Sequence, residues 1–340
     1  MTQISSISEF LLQAKTEYRV FDMGRGIRPV PDQTFLELEN GILGAPNPRL
    51  QHAWFGLIFF SRELSDEHYI WFVKLPLDEQ GLVITATRDH FLQIITDALG
   101  QQLEHNKNAK GRLPENPYSF LPNQQQLADF NSISRSALSL PPSTYYQDAM
   151  TYFNHPKQQD WQQVPLQGIA DIAALVQQKD TVSLLINSFN DLASPVRIHL
   201  LASLENHIVE KRLSHFIIDW CIANFHQDTQ LQHGLRALSQ STDKVAVKDL
   251  LTKVLQSEHG SDVNTMVLIA ARHWQYFGDA DFLALYINQL AELDSELFIS
   301  LYADLVQIPS IRPCLLAMIR WPDKSPALTR IVGRIFSGQD

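Results

Sequence analysis

The chain has 340 residues, of which 45% are hydrophobic and 19% charged, and it carries a net charge of −10. This length exceeds the ~250–300 residues at which a single core stops growing and predicts two domains, while the composition excludes global disorder. The acidity is spread, with 11 Lys/Arg against 15 Asp/Glu up to residue 122 and 16 against 22 beyond it. Both halves therefore repel phosphate backbones, and nucleic acid is not an expected partner.

Ser6-Ile7-Ser8-Glu9 has the spacing of a capping box, and Phe10, Leu11 and Ala14 follow with a short apolar face. Arg19 to Met23 alternates like a strand and stops at Gly24. The segment Asp32 to Glu39 predicts a short helix closed by Asn40-Gly41, and Ala45-Pro46-Asn47-Pro48 predicts a loop. Trp54 to Phe60 and Tyr69 to Leu75 are rich in aromatic and β-branched residues and flank the polar run Ser61 to Glu67, which predicts an antiparallel hairpin. Leu82-Val83-Ile84 extends the sheet or leads into a helix near Thr87, whose Phe91, Leu92, Ile94, Ile95, Ala98 and Leu99 recur at helical spacing.

Residues 101–126 turn to Asn, Lys, Gln, Gly and Pro, and the boundary falls here or shortly after. After Pro165 the sequence reads as helices of ten to fifteen residues. Starts at Ser194-Pro195, Asp228, Ser261 and Asp294 lie 34, 33 and 33 residues apart, with intervening helices near 212–224, 245–255, 281–290 and 309–319. Two helices per period of this length is the pitch of a helical-repeat stack, and the alternative is an irregular helical bundle, since any string of helices of this length with short turns gives a similar pitch. The expected fold is an α+β domain over 1–122, a small antiparallel sheet with flanking helices, followed by an all-α repeat domain over 123–340.

The most distinctive run is Phe21-Asp22-Met23-Gly24-Arg25-Gly26-Ile27-Arg28-Pro29. Gly24 and Gly26 free the backbone for close approach, and Arg25 and Arg28 suit a carboxylate or phosphate. These four residues are the candidates for binding an anion or a partner. The bland alternative is a strand-ending turn whose arginines are solvated or paired with Asp22 and Glu39. The run lacks both the P-loop spacing and the third glycine of a dinucleotide fingerprint.

Twelve histidines prompt a check for metal. His226 with His233, His199 with His207, and His215 with Asp219 each fall on one helix face, but none forms H-E-x-x-H, and no metal or other cofactor is expected. Asp89-His90 reads as a helix-start acid rather than an acid–base pair, and Asp78-Glu79 as an acidic turn. Cys221 and Cys314 sit in apolar helical stretches as free thiols. No recognisable catalytic motif is present, so a non-enzyme is favoured. The aromatic hairpin is expected to be buried on both faces, not to stack bases. There is no run of ~18 apolar residues and no basic-then-apolar leader at the N-terminus, so a cytoplasmic protein without a membrane span is expected.

In the phrases Phe21 to Pro29, Trp71 to Gly81 and Asn116-Pro117-Tyr118, the chain resembles an uncharacterised gammaproteobacterial family of unknown function over its full length. The resemblance brings no activity, cofactor or catalytic residue. The C-terminal half also resembles HEAT-type helical repeats, which implies a protein-binding scaffold. A cytoplasmic interaction scaffold or regulatory adaptor with a protein partner is the leading expectation. The alternative is a protein binding a nucleotide or phosphorylated metabolite at the turn over 24–28, and nucleic-acid association through a local basic surface ranks third.

Overall fold

Alternating side chains in the two aromatic runs build the centre of a four-stranded antiparallel sheet. The computed structural model describes residues 5–60, 68–104, 114–322 and 324–337. Strands β1 (Glu17–Asp22), β2 (Arg28–Val30), β3 (His52–Phe60) and β4 (His68–Pro76) lie in the order β2-β1-β3-β4. The expected hairpin is β3 with β4, in register from His52 opposite Pro76 to Phe60 opposite His68. Its connector, 61–67, lies outside the described residues.

One face of the sheet presents Tyr18, Val20, Phe55, Leu57, Trp71 and Val73 to helices α1 (Ile7–Gln13), α2 (Asp32–Glu39) and α3 (Thr85–Glu104). Phe35 meets Phe55 edge-on with ring centres 5.1 Å apart, the offset that aromatic quadrupoles prefer. On the other face, Trp54 and Phe72 pack on Phe120. Phe120 is delivered by backbone bonds that line 118–120 against β4, Lys74 N to Tyr118 O at 2.7 Å and Phe120 N to Phe72 O at 3.2 Å.

Two details depart from the sequence reading. Ser6 caps α1, its Oγ accepting from Glu9 N at 3.0 Å, but the Glu9 carboxylate reaches back to Ser5 N and not to Ser6. The end of the run at Arg28-Pro29, expected to belong to a strand-ending turn, instead enters β2. Its position at the sheet edge tolerates a residue without an N–H.

By contact clustering, unit 1 comprises residues 1–122 together with 303–313, and unit 2 comprises 123–302 and 314–340. In unit 2 the helices are α4 (Gln124–Ala137), α5 (Tyr146–Asn154), α6 (Leu166–Ala174), α7 (Lys179–Ser188), α8 (Ser194–Leu204), α9 (Lys211–Ala223), α10 (Asp228–Ala237), α11 (Lys244–Leu255), α12 (Val263–Arg272) and α13 (Ala280–Leu293). α14 (Ser295–Leu305), α15 (Arg312–Met318) and α16 (Pro326–Ser337) follow, with 303–313 counted in unit 1.

Packing in unit 2 alternates. α4 lies on α6, α6 on α8, α8 on α10 and α10 on α12, while α5 lies on α7, α7 on α9, α9 on α11, α11 on α13 and α13 on α16. From α4 to α13 each helix thus packs on the helix two places along the chain, and α13 then packs on α16, which gives two layers joined by pairs such as α5 with α6 and α9 with α10. Helices α8, α10, α12 and α14 start at residues 194, 228, 263 and 295, at intervals of 34, 35 and 32 residues. Short polar residues set these starts. Asp243, Asp262 and Asp279 each accept a backbone N–H three residues on, at 3.2, 2.7 and 3.0 Å. Two of the starts lack such a cap: at α8 Ala193 holds the cap position and Ser194 with Pro195 forms the first turn, and at α10 the cap residue Gln227 makes no side-chain bond.

Candidate functional site

The glycine–arginine turn is built from β1 outward. Met23 N donates to Trp54 O at 2.8 Å, which carries the backbone one residue past the strand. Asp22 is buried and accepts from Gly24 N at 2.8 Å and Asn47 Nδ2 at 3.2 Å. Burial pushes its carboxyl up to about 7, against the opposing pull of those bonds and of Arg28 and Arg25. Gly24 has no alternative here, because a Cβ on it would stand 1.9 Å from the Asn47 carbonyl oxygen. Gly26 has φ of +135°, a conformation open to glycine and rarely to other residues.

Arg25 points into the fold. Its Nε donates to Pro48 O at 3.0 Å and its Nη2 donates to the Asp304 carboxylate. The other oxygen of Asp304 accepts from Leu50 N at 3.0 Å. Leu50 and Gln51 have φ of 50° and 57° and form a two-residue turn between Arg49 and His52, a backbone more usually given to Asn-Gly. Asp304 therefore clasps two loops of unit 1 at once. Arg28 stands opposite Asp22 in the β1–β2 register, and its Nη1 donates to Ile27 O at 2.8 Å. Gly24, Arg25, Gly26 and Arg28 thus gather around Asp22, and an anion approaching Arg25 would have to displace Asp304. Glu39, the other expected partner, is engaged elsewhere, accepting from Ile7 N at 2.6 Å and Ser8 N at 3.1 Å.

The remaining sequence candidates resolve into local roles. Asp89 pairs with Arg88, whose Nη1 also donates to Glu39 O, and His90 lies 2.9 Å from the Tyr118 hydroxyl. Asp78 Oδ1 accepts from Gln80 N and Leu82 N and closes the acidic turn. His215 pairs at 2.9 Å with Asp243, the cap residue of the neighbouring α11, rather than with Asp219. Among the described residues no three His, Cys, Asp or Glu side chains gather as a metal site. Cys221 and Cys314 are free, and burial pushes the Cys221 thiol up to about 12.

Unit 2 holds a chain of buried charge that no motif signalled. Glu205, at the end of α8, is 5% exposed and is gripped by Arg236 of α10 at 2.5 Å and Arg272 of α12 at 2.6 Å. The two guanidinium groups outweigh desolvation and hold its carboxyl below the usual glutamate range. Asp129 of α4 is buried beneath Ser203 Oγ at 2.6 Å and Asn206 Nδ2 at 3.1 Å. Burial, with Glu205 nearby, pushes it up to about 7. Asp171 of α6 accepts from Ser132 Oγ and Ser143 N. The available signal was positional, since Glu205, Arg236 and Arg272 all sit at the C-terminal ends of alternate helices.

The sequence profile of the family described as "Protein of unknown function (DUF3549)" matches residues 2–336. The chain belongs to this family. No curated protein matches it, and no solved structure does. The family match spans the sheet unit and nearly all of the helical unit, so both the clasped turn and the buried charge chain lie within the matched region. Among the described residues no helix is long and apolar enough to cross a membrane.

Proposed function

We propose that this protein is a cytoplasmic interaction scaffold or regulatory adaptor, with the helical unit binding a protein partner as a HEAT-type stack would. The observation that carries the reading is the alternating packing, α4-α6-α8-α10-α12 in one layer and α5-α7-α9-α11-α13 in the other. Such a stack repeats one supersecondary unit and leaves each layer an outer face several helices long, the surface on which repeat proteins hold their partners. The acidity spread over the sequence favours a protein over a nucleic-acid partner. The test is affinity purification of the tagged full chain from its native cells at low salt. The same partner should return in near-equal amount from independent preparations; recovery of the chain alone at every salt concentration overturns the reading.

A second reading places an anion, a nucleotide or phosphorylated metabolite, at Gly24 to Arg28. It is supported by two arginines beside a buried carboxyl that burial drives toward its neutral form. Binding there would replace the Asp304 carboxylate on Arg25. A thermal-shift screen of phosphorylated metabolites should then show stabilisation that Arg28→Ala removes, and a flat screen discards it.

A further inference from the structure

Arg197 differs from Arg236 and Arg272, the paired arginines of the helical unit. Arg236 and Arg272 share Glu205, and in unit 1 Arg25 and Arg88 hold Asp304 and Asp89. Arg197, in the first turn of α8, is half-buried, yet among the described residues it makes no ion pair. Its guanidinium carbon lies 5.7 Å from the ring centres of both Phe189 and Trp220, which meet edge-on 5.4 Å apart. Its one side-chain hydrogen bond, Nη1 to Phe189 O, is long at 3.4 Å. Burial draws its pKa down. The rings fix the cation in place without neutralising it, and a partly dehydrated cation without a counter-charge gains most from a ligand that brings one.

Two adjoining hollows open on this side chain. One, of about 280 Å³, is lined by Leu201, Thr229 and His233 together with Arg197, Trp220 and Gln230. The other, of about 450 Å³, shares those last three residues and adds Asn190, Asp219 and Asn224. The first turn of α10 borders the smaller hollow, and its cap residue Gln227 makes no side-chain bond to it. Asp228, also on that rim, is turned to His259, 2.9 Å from Nδ1, and does not serve Arg197.

The geometry points to a carboxylate-anchoring site centred on Arg197, taking an acidic side chain or chain end of a polypeptide laid along α8 to α10. That the ligand is a polypeptide rests on the scaffold reading; the anion site stands on Arg197 and its hollows. The planar guanidinium fork can grip a carboxylate or a phosphate with two parallel bonds, and the charge of the site decides for the carboxylate. A single arginine, with the acids Asp219 and Asp228 on the rims, is matched to one negative charge and not to two.

The test is a side-chain NMR titration of the full chain, with the Arg197 Nε–H resonance assigned by its loss in Arg197→Lys. The probes are N-acetylalanine, its neutral amide, and methyl phosphate. N-acetylalanine should shift the Arg197 and Trp220 side-chain resonances saturably, about fivefold more tightly than methyl phosphate, and the amide should do nothing. Arg197→Gln should abolish the Trp220 shift. Asp219→Asn, an exposed change, should tighten carboxylate binding about two- to threefold by removing a repulsion. The inference is overturned by no saturable shift at Arg197, by an equal Trp220 shift in Arg197→Gln, by tighter binding of phosphate, or by unchanged or weaker binding in Asp219→Asn. The titration needs no partner, so its failure and the failure of the scaffold reading are separate results.

Discussion

The two units differ in how far along the chain a buried ion pair reaches. In unit 1 Asp304 reaches Arg25 across 279 positions. In unit 2 Glu205 is met by successive helices of its own layer, by Arg236 after 31 positions and by Arg272 after 67. A sheet layer has one centre, so its clasp is a single event. A stack of alternating helices brings successive helices of one layer to the same place, so that one carboxylate is shared by two arginines.

That contrast can be broken at its strongest points. Glu205→Gln leaves two half-buried arginines without an anion and should cost unit 2 about 3–5 kcal/mol, seen in urea melts followed by helical circular dichroism. A loss below about 1 kcal/mol would mean that the chain of charge does not hold the layer together. Gly24→Ala forces the Asn47 carbonyl or the turn to move. It should cost unit 1 about 1–3 kcal/mol, read from near-ultraviolet aromatic signals, and leave the helical melt in place. Gln51→Gly relieves a left-handed backbone while keeping the bond from Leu77 N to its carbonyl. A gain of about 1 kcal/mol is expected in unit 1, and a loss would show that the Gln51 side chain matters more than its φ.

A further effect is one of slope. Asp129 titrates near 3.8 when unfolded and at about 7 in the fold. The unfolded chain releases this proton first, so its contribution is fully present below pH 4 and is lost as pH rises toward 7. Asp129→Asn should flatten the fall in stability between pH 4 and 7, measured by urea melts at stepped pH. Glu205 works in the other direction, since its lowered pKa gives stability that is lost as acid protonates it. An unchanged slope in Asp129→Asn would place the pH dependence elsewhere.

Much of this architecture was legible in the sequence, because local physics dictates it. Aromatic and β-branched runs with a polar break made β3 and β4, and the helix over Asp32–Glu39 lay between Pro31 and Asn40-Gly41. The pitch of the helical unit was read to within two residues at each start. What was missed has non-local causes. Pro29 argued for a turn until the sheet gave it an edge. Leu50-Gln51 carries no sign of a left-handed turn, since neither residue favours that backbone. Nothing around Asp304 announces that residues 303–313 join the sheet unit. The buried acids Asp129, Asp171 and Glu205 look like surface residues on helices until the stacking closes over them. Arg25 stood out among its glycines, but its partner lay in the last fifth of the chain. Arg197 stood out in no motif, because Phe189 and Trp220 flank it only once α8 and α9 are folded.

The central question is whether the alternating helical stack is a binding surface. The most direct measurement is side-by-side affinity purification, from native cells, of the full chain, its Arg197→Gln form and an Arg212→Gln control changed at an exposed residue of α9. One protein in near-equal amount is expected with the wild type and the control, and its loss with Arg197→Gln. Recovery of no protein with any of the three contradicts the binding surface, whereas equal recovery with all three keeps the surface and removes Arg197 from it.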